Sequence, residues 1–410
     1  MHLVVFEASK WDTFAPLTLS RPAFALMCGA GTLLEKQVRY IKPDRLTLWT
    51  RPQLVDFCTK NIVNKLRVPT KINEPLDDEP ALIMSGRSLH FSKFEVPSDP
   101  CVSLEHDNLV LTAFVKHPGL HVGDAIGRTK SWLDLANLPR AEAGARLPEH
   151  LWDLINWNEE ALVSDSIHLE DGYDGKPAGP YQMVNDDNVF INREVKLMPG
   201  VVLDASRGPV ILDRGAVIGA NSVIEGPCYV GMYSRIAPLT NIRAGTSLGP
   251  GCSVGGVISN SIIMGLMDKP HEGYLGDSYV GRWTNLGAGT TTANVKTTYG
   301  QISVKIGSRS IQTGRRSMGT IIGDHTKTSI NTRFSPGCYV GYNCILAGAG
   351  LVPQFVPSFS FWTDQGLTQV EKSKSAEMAK RVYDRRDRQW TGIEEAVHAY
   401  AAEAAPAVEK

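Results

Sequence analysis

A period of six residues governs the middle of this chain. From Leu212, aliphatic residues recur at Ile218, Ile224, Val230, Ile236, Ile242, Leu248 and Val254 without a slip, and Gly, Ala, Asp, Glu or Arg follows each. The same phase restarts at Val280 and Leu286, and again at Ile322, Thr328, Phe334, Val340, Leu346 and Val352. A six-residue step suits a short strand plus a tight corner, with the aliphatic residue pointing inward and the small or acidic residue in the turn. Three steps make one triangular coil. One coil cannot bury its inner face alone, but stacked coils form a continuous apolar column. A sandwich of ordinary short strands does not keep a fixed period over this length. The phase is lost at residues 256–279 and 291–321, which are expected to be loops projecting from corners, where chemistry is commonly placed.

The flanks read differently. Residues 1–165 alternate strand-like and helix-like runs: Leu3–Phe6, Arg45–Thr50 and Ala81–Ser85 as strands, Gly31–Tyr40 and Pro52–Asn61 as helices. That alternation favours a Rossmann-like α/β domain with a mainly parallel sheet and ligands at the carboxyl ends of its strands. Residues 166–188 include the aperiodic stretch EDGYDGKPAGP, taken as a linker, so that the repeat region spans 189–358. Residues 359–410 form a helical segment whose first helix carries Met378, Ala379, Val382 and Tyr383 on one face and many Lys and Arg elsewhere. It is expected to cap the coil, with its cations in solvent.

The balance of 42 Lys and Arg against 43 Asp and Glu, a net charge of -1, gives no general reason for nucleic acid or anionic membrane as a partner. The seven Cys lack CxxC spacing, and no apolar run is long enough for a membrane span, so a cytoplasmic protein is expected. The repeat region holds only His271 and His325, too few for a three-His zinc site from one chain.

The densest candidate segment is Lys269–Lys296, KPHEGYLGDSYVGRWTNLGAGTTTANVK. His271 lies in the first phase break, where a neutral imidazole can take a proton from an attacking amine or hydroxyl; a plain surface His is the competing reading. With Tyr274-Leu275-Gly276-Asp277, Asn285-Leu286-Gly287-Ala288-Gly289-Thr290 and Asn294, the segment resembles the acetyltransferase domain of the bacterial bifunctional enzymes that make UDP-N-acetylglucosamine. The resemblance implies a left-handed parallel β-helix, a homotrimer, and transfer of acetyl from acetyl-CoA to glucosamine 1-phosphate. It implies His271 as the general base, Tyr274 and Asn285 as contacts to the sugar phosphate, and Ala288 and Asn294 beside the thioester, all at one interface between subunits. Arg243 matches in phase a family arginine that binds substrate phosphate; an exposed corner residue is the alternative. Two departures stand out: Val295 replaces the family tyrosine, and the family's upstream substrate lysine has no clear counterpart, with Lys269 the nearest substitute. The segment 297–318 is longer than in the common bacterial enzyme, and its Lys305, Arg309, Arg315 and Arg316 suit either a phosphate or a solvated loop.

At the N-terminus, Pro16-Leu17-Thr18 and the run to Pro22 resemble sugar-1-phosphate nucleotidyltransferases, and Gly31-Thr32, Glu35-Lys36 and Met84-Ser85-Gly86-Arg87 extend the resemblance to a divergent branch of two-domain proteins. The family's GxGTR loop, whose backbone cradles nucleotide phosphates, is replaced by Ser9-Lys10-Trp11-Asp12-Thr13. Arg21 and Lys36 are carried over as phosphate contacts. Asp107 is the candidate ligand for Mg2+, which a nucleotidyl transfer requires; an exposed acidic turn is the plainer reading.

Three functions follow from these readings: an acetyltransferase acting on an amino-sugar 1-phosphate, coupled to formation of a nucleotide sugar; a nucleotidyltransferase that uses the β-helix as a trimerisation scaffold; and a non-catalytic binder of sugar nucleotides.

Overall fold

The computed structural model describes all residues of the chain except 8, 77–78, 106–108, 117–118, 143 and 170–171. The N-terminal sheet contains β1 (His2–Phe6), β2 (Arg45–Trp49), β3 (Thr70–Ile72), β4 (Ala81–Ser85), β5 (Cys101–Leu104) and β6 (Val110–Val115) in the order β3-β2-β1-β4-β6-β5. The first four strands run parallel; β6 joins β4 antiparallel, and β5 closes that edge. Every residue of β1 is buried, as its continuous run of Leu, Val and Phe dictates for a strand covered on both faces. Helix α1 (Leu33–Ile41) starts at a capping box in which Thr32 and Glu35 satisfy each other's backbone N–H groups. Helix α2 (Val55–Asn61) follows β2, and helix α3 (Leu151–Ser166) closes the domain.

The hexads build a parallel β-helix with three faces. Face 1 is a nine-stranded parallel sheet that starts at Val189–Ile191 and ends at Phe355–Val356. Face 2 runs from Lys196–Leu197 to Asp268–Lys269 and continues through bridges at Asn285 to Lys327–Thr328 and Ile345–Leu346. Face 3 starts at Gln182–Val184, inside the segment read as a linker, and passes through Asn241–Ile242 and Val257–Ser259 to Tyr274–Gly276. The inward column includes Leu212, Ile218, Ile224, Val230, Ile242, Leu248 and Val254, each wholly buried. Burying one such side chain contributes about 1.5–3 kcal/mol, so the column is a principal source of the fold's stability.

The first phase break is not a projecting loop. Residues 256–279 stay in the coil, with Ile258, Ile263 and Leu275 in the column and their strands in register with those on either side. Corners shortened by one or two residues shift the period without interrupting the pairing. The second break does project: after Thr291–Thr292 the chain leaves the coil as an antiparallel hairpin, Ser303–Ile306 with Arg309–Gln312.

Both flanking parts pack closely against the coil. The N-terminal domain does not sit apart from the coil, because outward residues of face 1, among them Tyr229, Ile262, Tyr279 and Tyr339, are buried in one cluster with Phe14, Leu17, Trp152 and Ile155. The C-terminal helices α4 (Lys372–Asp384) and α5 (Gly392–Val408) turn back between the two domains: Tyr383 stacks on Trp283 of the coil, and Glu394 pairs with Lys60 of α2. Among the described residues no helix is long and apolar enough to cross a membrane. The seven cysteines are unpaired thiols.

Candidate functional site

The corner between faces 2 and 3 carries most of the candidate residues. His271 lies exposed in the corner that joins Asp268–Lys269 to Tyr274–Gly276. The next coil stacks directly on it, since the Gly289 amide donates to the Glu272 carbonyl at 3.2 Å. Ala288 therefore lies over the His271 corner. Asn285 precedes that upper corner on face 2, and Tyr274 follows the lower one on face 3. Four residues that the sequence separates by up to seventeen positions thus line one edge of two adjacent coils.

Tyr274 is locked across face 3 by a polar network. Asn294 Nδ2 donates to the Tyr274 hydroxyl at 2.9 Å and to Asp277 Oδ2 at 2.6 Å. The same carboxylate accepts from Ser317 Oγ at 2.6 Å and from Asn260 Nδ2. Asn294 Oδ1 is buried with no hydrogen-bond partner, which leaves an acceptor free at the site. Gly276 makes the arrangement possible, because a Cβ there would overlap both the Tyr274 hydroxyl and Asn294 Nδ2. Arg243 is exposed, and its register follows Ile242, Ile258 and Leu275. It stands two coils below Gly276, roughly 10 Å away at the ordinary strand spacing.

Lys269 corrects the sequence reading. It does not face a substrate: it occupies the inward position paired with Val254, wholly buried inside the coil. Its ammonium donates to the carbonyls of Gly273 at 2.9 Å and of Gly255 and His271 at 3.2 Å. Burial pushes its pKa down to about 8, with Glu272 acting in the opposite direction. A cation in the column is tolerated because the corner carbonyls take the place of water, and it ties the backbone of the His271 corner to the core.

The cations of the inserted hairpin are partly committed to the protein itself. Arg309 donates to the carbonyls of Val408 and Lys410, and Arg315 to that of Trp152, while Lys305 and Arg316 are exposed.

In the N-terminal domain the two expected phosphate contacts are tied to carboxylates. Lys36 is buried against Asp165, which also holds Arg39 at 2.7 Å; a phosphate contact there is corrected to an internal ion pair. Arg21 is buried against Asp324 of the coil. At the carboxyl ends of β1 and β2, Glu7 receives a two-pronged contact from Arg51, both distances 2.9 Å, and Arg87 after β4 grips Glu105 at 2.6 and 2.8 Å. Asp107 lies outside the described residues.

The sequence reading missed Asp277, Ser317 and Asn260 as the framework of Asn294. Asp277 sat in the quoted motif, and its position right after Gly276 at a corner was the available signal.

An α/β domain docked on a hexad β-helix, with a polar site on the corner of that helix, defines a two-domain chain. Residues 3–174 match the family model described as "Sugar nucleotidyl transferase". A relative from Methanocaldococcus jannaschii, "Bifunctional protein GlmU", is 37% identical over 43% of this chain and 42% of its own length. One from Methanococcus maripaludis is 34% identical over 46% of this chain and 47% of its own, so these matches span about half the length of those relatives. A third protein of that name, from another strain of Methanococcus maripaludis, is 34% identical over 88% of this chain and 97% of its own length. The chain belongs to the bifunctional GlmU family. A solved UDP-N-acetylglucosamine acyltransferase from Campylobacter jejuni is 12% identical, with a TM-score of 0.32 over 54% of this chain and 95% of that one, a likeness too weak to argue from.

Proposed function

We propose that the chain is an acetyl-CoA-dependent N-acetyltransferase acting on an amino-sugar 1-phosphate of the glucosamine 1-phosphate type. The observation that carries this reading is the corner itself: an exposed imidazole beneath Ala288, flanked by Asn285 and by a Tyr274 hydroxyl fixed to Asn294. Acyl transfer needs a positioned amine, a base and donors for the developing oxyanion. His271 takes the proton as the amine attacks the thioester carbon and CoA leaves as thiolate. Tyr274, Asn285 and Arg243 hold the sugar phosphate, and Ala288 and Asn294 line the thioester pocket. Arg243 and His271 lie exposed away from the docked face 1, which supports a homotrimer that closes the site between subunits.

Membership of a bifunctional family and the match over residues 3–174 support a second activity, transfer of a nucleotidyl group to a sugar 1-phosphate. Mg2+ would supply charge neutralisation on the phosphates in such a reaction. The described carboxylates Glu7 and Glu105 do not fit that ion, because each is already held by a guanidinium.

Release of free CoA from acetyl-CoA with glucosamine 1-phosphate tests the first activity. His271→Ala is expected to lower turnover by about 100-fold or more, the usual contribution of a general base, with the assembly intact by sedimentation. Unchanged turnover would remove His271 as the base. Formation of a UDP-sugar from UTP and a sugar 1-phosphate tests the second.

A further inference from the structure

A cavity of about 400 Å³ lies where the N-terminal domain, the coil and the C-terminal helices meet. It is separate from the His271 corner and within the size range of small-molecule sites. Its wall shows four buried nitrogens without hydrogen-bond partners: Arg21 Nε, Arg282 Nε, His325 Nδ1 and Trp390 Nε1. Buried polar groups are nearly always paired, and leaving one unpaired costs about 1–3 kcal/mol. Three of them, on Arg21, Arg282 and Trp390, can only donate, so a wall short of acceptors favours a ligand that supplies them.

The charges say what kind. The Arg282 side chain makes no ion pair or hydrogen bond among the described residues, and neither does that of Arg388 at the rim. Burial lowers the pKa of Arg282, and the nearby Arg21 and Arg388 lower it further, with Asp324 acting against them. Lys65 is lowered by burial and then by Arg282 and Arg388. His325, 5% exposed, is held well below the ordinary histidine range by burial and by the surrounding cations, so it lines the cavity as a neutral imidazole. A crowd of cations with carboxylate partners for only some is unfavourable until an anion enters. Beside them, Trp283 and Tyr383 stack at 4.0 Å between ring centroids, with Trp390 edge-on to Tyr383 at 5.1 Å. This aromatic wall suits the non-ionic part of the same molecule.

We propose that this junction cavity binds a phosphate ester, with Arg282 and Arg388 on the phosphate and the Trp283–Tyr383–Trp390 wall against its organic part. The proposal is independent of acetyl transfer at His271. Because residues from all three parts of the chain line the cavity, the bound anion would also clamp them together.

Titration calorimetry on the full-length protein tests it, with inorganic pyrophosphate and UDP as probes. The parent is expected to bind both, UDP more tightly if the aromatic wall contributes, and Arg282→Gln to weaken binding at least roughly tenfold, as loss of a charge-assisted contact does. Arg388→Gln, at an exposed rim position, decides the matter if Arg282→Gln does not fold. Absence of binding by either probe overturns the proposal. So does binding that a folded Arg282→Gln protein, or failing that the Arg388→Gln protein, leaves unchanged, since the probe would then sit elsewhere.

Discussion

Gly276 shapes the candidate site by lacking a side chain. A methyl group there would meet the Tyr274 hydroxyl, its ring carbon Cζ and the Asn294 amide, so the Tyr274 ring and the Asn294 side chain must swing aside. Gly276→Ala is therefore expected to fold, with a melting temperature within a few degrees of the parent, while acetyl transfer falls on the order of 100-fold because the substrate contacts move by about an ångström. A matched loss of stability and activity would mean that the glycine serves the coil rather than the site. At this scale the sequence was legible for residue types and opaque for directions. His271, Tyr274, Asn285, Ala288 and Asn294 form a spaced motif, and the coil sets their proximity. Lys269 differs because periodicity assigns an inward position to an apolar residue, and only the ring of carbonyls at Gly255, His271 and Gly273 makes an ammonium acceptable there. Nothing in the local sequence announces carbonyls that converge through folding.

The end of helix α5 is held by a carboxylate that has left water. Glu409 accepts from Ser358 Oγ at 2.6 Å, the Ser358 amide at 2.7 Å and the Tyr339 hydroxyl at 3.1 Å. Burial still dominates and raises its pKa from 4.5 to about 7, the hydrogen bonds from Ser358 and Tyr339 pulling it down. Between these two values the folded state binds more protons than the unfolded state, so stability from this group falls as pH rises through that window and levels off above about 7. Denaturant titrations from pH 4.5 to 8 are expected to show that decline in the parent and to lose this component in Glu409→Gln; an identical profile in the variant would assign the dependence to other groups. The elements themselves were legible wherever the hexad held. Residues 256–279 were misread because trimmed corners move Ile258 and Ile263 out of phase while their strands stay paired, and a fixed-period reading treats a lost phase as a lost element. The two C-terminal helices were legible as helices, but their place was not, because Tyr383 and Glu394 meet partners a hundred residues or more away.

The whole molecule is organised by the docking of the α/β domain on face 1. A signal for it existed in the sequence: Cys228-Tyr229-Val230 and Cys338-Tyr339-Val340 place a large aromatic between two inward residues, on the outside of the coil. Tyr279 repeats the pattern, and its hydroxyl donates to the Met27 carbonyl at 2.8 Å while accepting from the Met27 amide at 2.9 Å. Asn158 of α3 reinforces the join. It is wholly buried, accepts from the Gly29 amide at 2.6 Å and donates to the Gly245 carbonyl at 2.8 Å and Ser247 Oγ at 2.9 Å. Interfaces between independent domains are ordinarily more polar and hydrated. This one is packed like a core, so neither part can unfold without exposing apolar surface on the other. Calorimetry is expected to show a single transition for the full chain. Asn158→Ala strands the Gly29 amide and the Gly245 carbonyl, costs about 1–3 kcal/mol, and should shift that transition downward as one peak. Two resolved peaks in the variant would mean that the domains are independently stable and that the docked arrangement only aligns them.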